Sequence, residues 1–309
     1  MLLFNDKKYI KTPFKNEDEL EQVIISNYEY LFGPSSFYLP KARIKTGDGI
    51  ETIPDGFVID ISQRIWYVVE VELIHHELYN HIVKQITKQI VASSQPAAKQ
   101  KIEDLAADCY KNDMTTKEKF NDAKISEINV RKILRDILDT PPIVGIPIDG
   151  ISNDLREWAP TIKNGVKIWT VSKYAEIGNA DSVIYEFPEE YKPQIDTEED
   201  TETGSETSRI KQYDATLFDL IKADMLKPKD TLRMNYKPRG GQEKKYEAVV
   251  LEDGSISFLD QFFNSPSYAA IAGIQKAGSD RKTVNGWTSW KTEDGKSLAD
   301  LRDLFLNNQ

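Results

Sequence analysis

Apolar positions recur along this chain with two different periods, and each change of period marks a new element. In NEDELEQVIISNYEYLF, Leu20, Val23, Ile24 and Tyr28 repeat at helical spacing behind an Asn16 cap and a first turn of acids. An amphipathic helix is predicted there. IPDGFVIDISQRIWYVVEVEL, Ile53 to Leu73, reads instead as two apolar strands around DISQR, a turn short enough for an antiparallel pair. A helix is expected over 75–93. The charged segment 97–139 keeps helical period until Pro141 and Pro142 stop it. PIVGIPI follows as a strand, SNDLREWAPTI as a helix capped by Ser152 or Asn153, and VKIWTVSKY and DSVIYEF as strands. That order predicts an α/β domain over 1–192, with helices flanking a central mixed sheet.

The pattern then fails. PQIDTEEDTETGSETSR, 193–209, has one large apolar residue and cannot bury enough surface to order itself, so it is expected to be a flexible linker. Beyond it, 210–309 reads as a small α+β domain. TLFDLIKADML is a helix, and DTLRMNY and KYEAVVLEDGSISF are strands joined through Arg239-Gly240-Gly241, with a hairpin at Asp253-Gly254. SPSYAAIAGI is a helix with Pro266 at its first position, and KSLADLRDLFLN is a last one.

A formal charge of −10 argues at first against a nucleic-acid partner. Its distribution removes the objection. The linker holds six acids and one base, whereas 210–309 holds 15 bases and 14 acids, so a local basic groove is compatible with the total. With Cys109 as the single cysteine there is no internal disulfide and no thiolate zinc site, and a reducing cytoplasm is the expected setting. No apolar run approaches about 18 residues, and MLLFNDKKYIK is too short in its apolar part for a secretory signal, so no membrane partner is expected.

The acids inside the strand pattern carry the chemistry. Glu70 and Glu72 are two apart and share one face of their strand. Asp55 enters the preceding strand just after Pro54 and can lie near Glu70 across the ladder. Three converging carboxylates repel one another unless a hard divalent cation joins them. The alternative is a half-exposed sheet with Glu70 and Glu72 in water. Asp60 reads as a turn residue. The three histidines, His75, His76 and His81, suggest zinc, but His76 and His81 are five apart and do not stack on one helix face.

PDGFVID followed by YVVEVEL resembles the PD-(D/E)XK nuclease signature, and the resemblance extends over roughly 14–190. It implies a restriction-endonuclease-like fold. It also implies that Asp55 and Glu70 hold Mg2+ (or Mn2+), assisted by the Val71 carbonyl. Glu72 stands where the family usually has Lys; it would accept the proton of the attacking water or hold a second metal. The first helix of the family often brings an acid to the metal, here Glu21 rather than Glu17. Its later helix commonly places a Gln at the site edge, and Gln85 fits, in a polar stripe with His81 and Gln89. A solvated stripe is the alternative reading.

FNSPSYAAIAG, VNGWTSW and GKSLADLRDLF together resemble the RAMA family, over about 210–308. That resemblance implies recognition of DNA, with a modified base as the target. The residues assigned to contact it are Ser265 and Ser267 at a helix N-terminus, Arg281 and Lys282 on the backbone, Asn285, and Trp287 and Trp290 as stacking faces. Core packing of the tryptophans and plain capping by Ser265 are the alternatives.

Both resemblances together point to a Mg2+-dependent endonuclease acting on double-stranded DNA as a homodimer, in the manner of a modification-dependent restriction enzyme. The alternatives are a conventional restriction subunit that cuts unmodified sites and a catalytically inactive DNA-binding protein.

Overall fold

The computed structural model describes residues 1–76, 78, 82–188, 194–197, 215–238 and 240–307. His81, Arg239 and most of the acidic connector lie outside them. The chain forms two compact units, Met1–Ser205 and Glu206–Gln309. Among the described residues no helix is long and apolar enough to cross a membrane.

The first unit is built on a six-stranded mixed sheet. Its strands run, in spatial order, Ile195–Asp196, Val166–Thr170, Ile143–Ile148, Ile65–Val69, Gly56–Asp60 and Ser36–Leu39. The three strands from Ile65 to Thr170 pair in parallel, and the other neighbours pair antiparallel. Strand alternation explains the layers. Phe57, Ile59, Trp66 and Val68 pack with Ile102, Ala106, Leu134 and Ile137 of the helices Pro96–Asn112 and Val130–Leu138. Val58, Tyr67 and Val69 face the opposite way and meet Leu20 and Ile24 of the first helix, Glu17–Asn27. Both faces of the central strands are therefore covered, which is why they read as continuous apolar runs.

Local signals explain the ends of the elements. Asn16 caps the first helix by accepting from the Glu19 N–H at 3.0 Å. Of the two candidates at the Asn153–Trp158 helix, Ser152 is the cap, accepting from Leu155 N–H at 3.2 Å. Asp60 closes the strand pair as a turn acceptor: its Oδ1 takes hydrogen bonds from Ser62 N, Ser62 Oγ and Gln63 N.

Three features depart from the sequence pattern. VKIWTVSKY is two strands, not one: Val166–Thr170 belongs to the central sheet, while Ser172–Glu176 enters a second, four-stranded sheet. That sheet also takes in Leu2–Phe4 and Lys7–Thr12, too short and too exposed to show a clear alternation. Ile195 and Asp196 pair with Ile168 and Lys167, so ordered chain of the first unit extends past Pro193 into the expected linker.

The second unit pairs Thr231–Tyr236, Lys244–Val250, Ile256–Phe258 and Gln261–Phe263 as an antiparallel sheet. Gly254 takes a left-handed φ of +81°, as the Asp-Gly hairpin requires. Helices Leu217–Lys222, Pro266–Lys276 and Leu298–Asn307 pack on this sheet around Trp287 and Trp290.

Candidate functional site

Strand register assembles the site. Gly56 pairs with Val69, so the next pair in that ladder places Asp55 against Glu70; Leu39 pairs with Phe57, which in the same way places Lys41 against Asp55. One row across three neighbouring strands thus carries Lys41, Asp55 and Glu70. The chain stays extended beyond Val69 because Glu70 N–H and Glu72 N–H donate to Gly145 O and Pro147 O. Both glutamates are almost fully buried, at 2% and 1% exposure. The solvated alternative is thereby excluded.

Each acid is held by a definite partner. Asp55 Oδ2 accepts from Val71 N–H at 2.9 Å, and its Oδ1 lies 2.8 Å from Lys41 Nζ. Lys41 also reaches Glu21 Oε2 at 2.7 Å, which ties the first helix to the row. Glu70 accepts from two amides one helical turn apart on the Val83–Ser93 helix, Gln85 on Oε1 and Gln89 on Oε2 at 2.6 Å. Glu72 binds His76 Nδ1 at 3.0 Å, and that nitrogen is 2.7 Å from Glu17. Among the described residues, Glu17, Glu72 and His76 form a trio of possible ligands with atoms within 4.8 Å of one another.

Burial sets the proton affinities. It pushes the Glu70 carboxyl well above the ordinary range, reinforced by the charge of Asp55. Glu72 is raised to about 8, by burial first and then by the Glu17 charge. Burial, with Asp55, Glu21 and Glu70 nearby, also raises the Tyr38 phenol, which donates to the Asp55 carbonyl. Burial works to lower Lys41, but its hydrogen bonds to Asp55 and Glu21 prevail and raise it.

Such a cluster costs several kcal/mol per buried ion unless it is compensated. The residues fit a hard divalent cation. Asp55 and Glu70 offer only oxygens, now engaged by Lys41, Val71 N–H, Gln85 and Gln89, and buried Gln89 Oε1, with no hydrogen-bond partner, adds an acceptor beside Glu70. Asp55 and Glu70 would hold the ion. Val71 touches the same group through its N–H to Asp55.

Two members of the site escaped the sequence. Lys41 follows Pro40 at the end of a short strand, and no motif marks it. Gln89 shared the polar stripe with Gln85, but only its fold over Glu70 separates it from a wetted residue. The spacing of the histidines raises His76 only as a zinc candidate; in the structure it meets the carboxylates of Glu17 and Glu72.

In the second unit, the residues assigned to DNA contact serve mainly to lock the fold. Ser265 caps its helix, accepting from Ser267 N–H and Tyr268 N–H. Ser267 Oγ accepts from Gly286 N–H at 3.1 Å, and Trp290 Nε1 donates to Pro266 O at 3.0 Å. A Cβ on Gly286 would sit 2.1 Å from the Pro266 carbonyl carbon, so only glycine permits this approach. Trp287 and Trp290 are buried, Trp290 edge-on to Phe258, so neither presents a free face for a base. That corrects their expected stacking role: the core has taken the surface a base would need. Ser265 and Ser267 are likewise buried, with their hydroxyls engaged. Asn285 caps the short Gly286–Ser289 helix; Arg281 is half-buried and Lys282 exposed.

Residues 197–309 match the RAMA family, described as Restriction Enzyme Adenine Methylase Associated. The chain carries a RAMA domain. This match links it to restriction–modification systems; it covers somewhat more than a third of the sequence and does not reach Lys41, Asp55, Glu70 or Glu72. No curated protein matches the chain.

Proposed function

We propose that this protein is a Mg2+-dependent endodeoxyribonuclease whose RAMA domain directs it to DNA carrying a modified base. The observation that carries the reading is the row Lys41–Asp55–Glu70, which runs from an exposed lysine through a half-buried aspartate to a buried glutamate closed by two glutamine amides. Burying two glutamates two residues apart on one strand costs free energy, and a cation site gives that cost a use. The restriction–modification context of the RAMA match makes DNA the natural substrate.

When bound, the metal would polarise the scissile phosphate and lower the pKa of an attacking water. Asp55 and Glu70 would hold it, and Glu21 would support it through the helix that Lys41 tethers. Gln85 and Gln89 fix the orientation of Glu70. Glu72 lies two residues along, held by His76, in position to accept the proton of the water. Lys41 supplies the positive charge that a Glu at position 72 lacks. Cutting both strands calls for two such sites, and hence a dimer on DNA.

The test is incubation with Mg2+ of one DNA sequence prepared unmodified, adenine-methylated and cytosine-modified. Cleavage of a single modified form supports the reading. Cleavage of unmodified DNA alone would make the protein a conventional restriction subunit. Binding without cleavage of any of them would make it a DNA-binding protein.

A further inference from the structure

The second unit contains a cavity of about 650 Å³, bounded by its first two strands, the end of the Pro266–Lys276 helix and the segment 288–295. That volume is in the range of small-molecule sites. Buried Met234, Ile274 and Val284 give it an apolar lining. Half-buried Tyr236 and Tyr246 contribute rings from adjacent antiparallel strands. Arg233, Lys245, Arg281 and Lys291 also line it, against two acids, Glu247 and Glu293, so the charge balance favours an anion. Both acids are engaged with Arg233, at 3.0 and 3.2 Å.

We propose that this cavity receives one nucleotide drawn out of a DNA duplex. A displaced base brings a flat apolar face, a hydrogen-bonding edge and a phosphate on either side. The tyrosines and the apolar lining match the face. Thr288 and Ser289 offer donors and acceptors for the edge. Lys245 and Lys291 are exposed and would suit the phosphates on either side of the base. The tryptophans of the same domain are buried, whereas Tyr236 and Tyr246, the latter also perpendicular to Phe258, line the cavity. The inference rests on the proposed action on DNA and assigns the reading of the base to one surface.

The probe is a duplex with a single 5-iododeoxyuridine facing a mismatched base, a position whose extrusion costs least. The full-length protein is bound to it in EDTA, irradiated, digested and analysed by mass spectrometry. Crosslinks to Tyr236 or Tyr246 are expected. Separately, Lys245→Gln and Lys291→Gln should each lower the salt slope of binding by about one. Binding without a crosslink at either tyrosine, or with salt slopes unchanged in both variants, overturns the cavity assignment and leaves the endonuclease reading intact. Failure of the protein to bind duplex DNA at all overturns both.

Discussion

Lys41 donates to Asp55 at 2.8 Å from the position that strand register sets opposite it. The same ammonium binds Glu21 at 2.7 Å, so one cation serves two carboxylates of the site. Lys41→Ala should therefore cut the cleavage rate by about a hundredfold or more, the usual loss when one fixed electrostatic group leaves a reacting centre. Lys41→Arg should retain part of that rate. A Lys41→Ala protein with full activity in single-turnover kinetics would remove the residue from the mechanism.

Glu70 is a cost to the fold as well as the proposed ligand. In Glu70→Gln the buried charge disappears while the packing volume is kept. The metal-free variant is expected to melt no lower than the parent at pH 8, and to lose Mg2+ binding and cleavage. Differential scanning calorimetry beside a metal titration reads both effects. A large fall in Tm would mean that Glu70 is structural.

Asp60 provides a pH signature away from the site. Burial raises its carboxyl above the ordinary 3.8. An acid raised in the folded state binds more protons there than when unfolded. Its contribution is then fully present below pH 3.8 and is lost as pH rises through the folded value. Asp60→Asn keeps an acceptor for the Ser62 and Gln63 N–H groups but removes the titration. The Tm of the variant relative to the parent should rise with pH above 3.8; a difference independent of pH would contradict the assignment.

The Ser-Pro-Ser and Asn-Gly-Trp segments hold the RAMA domain together. Trp290→Ala removes a fully buried indole and its bond to Pro266, and should cost about 3–5 kcal/mol. Gly286→Ala should be comparably damaging, because its methyl would collide with backbone. Chemical denaturation followed by tryptophan fluorescence checks both. Tolerance of either change would show that the segments are not the lock described.

The sequence revealed this molecule where a strict period forced a register. Alternation in GFVID and IWYVV put Asp55 and Glu70 on neighbouring strands, and the short turn between them left one pairing. Lys41 was invisible because its role depends on a third strand, Ser36–Leu39, whose pairing no local pattern announces. The break at Val171 was hidden because both halves of VKIWTVSKY favour strand, and only tertiary packing divides them between two sheets. Trp287 and Trp290 illustrate the converse difficulty. An aromatic beside Asn and Gly suits a binding loop and a core equally well, and burial alone decides.

Asp55 and Glu70 are proposed to form a metal-dependent phosphodiesterase site. Its most direct test is cleavage of modified plasmid DNA by the wild-type protein and by Asp55→Asn, each with Mg2+ and with EDTA. The expected result is cutting by the wild type with Mg2+ alone, and none by a folded Asp55→Asn protein. Equal cutting by that variant, or cutting that persists in EDTA, would contradict it.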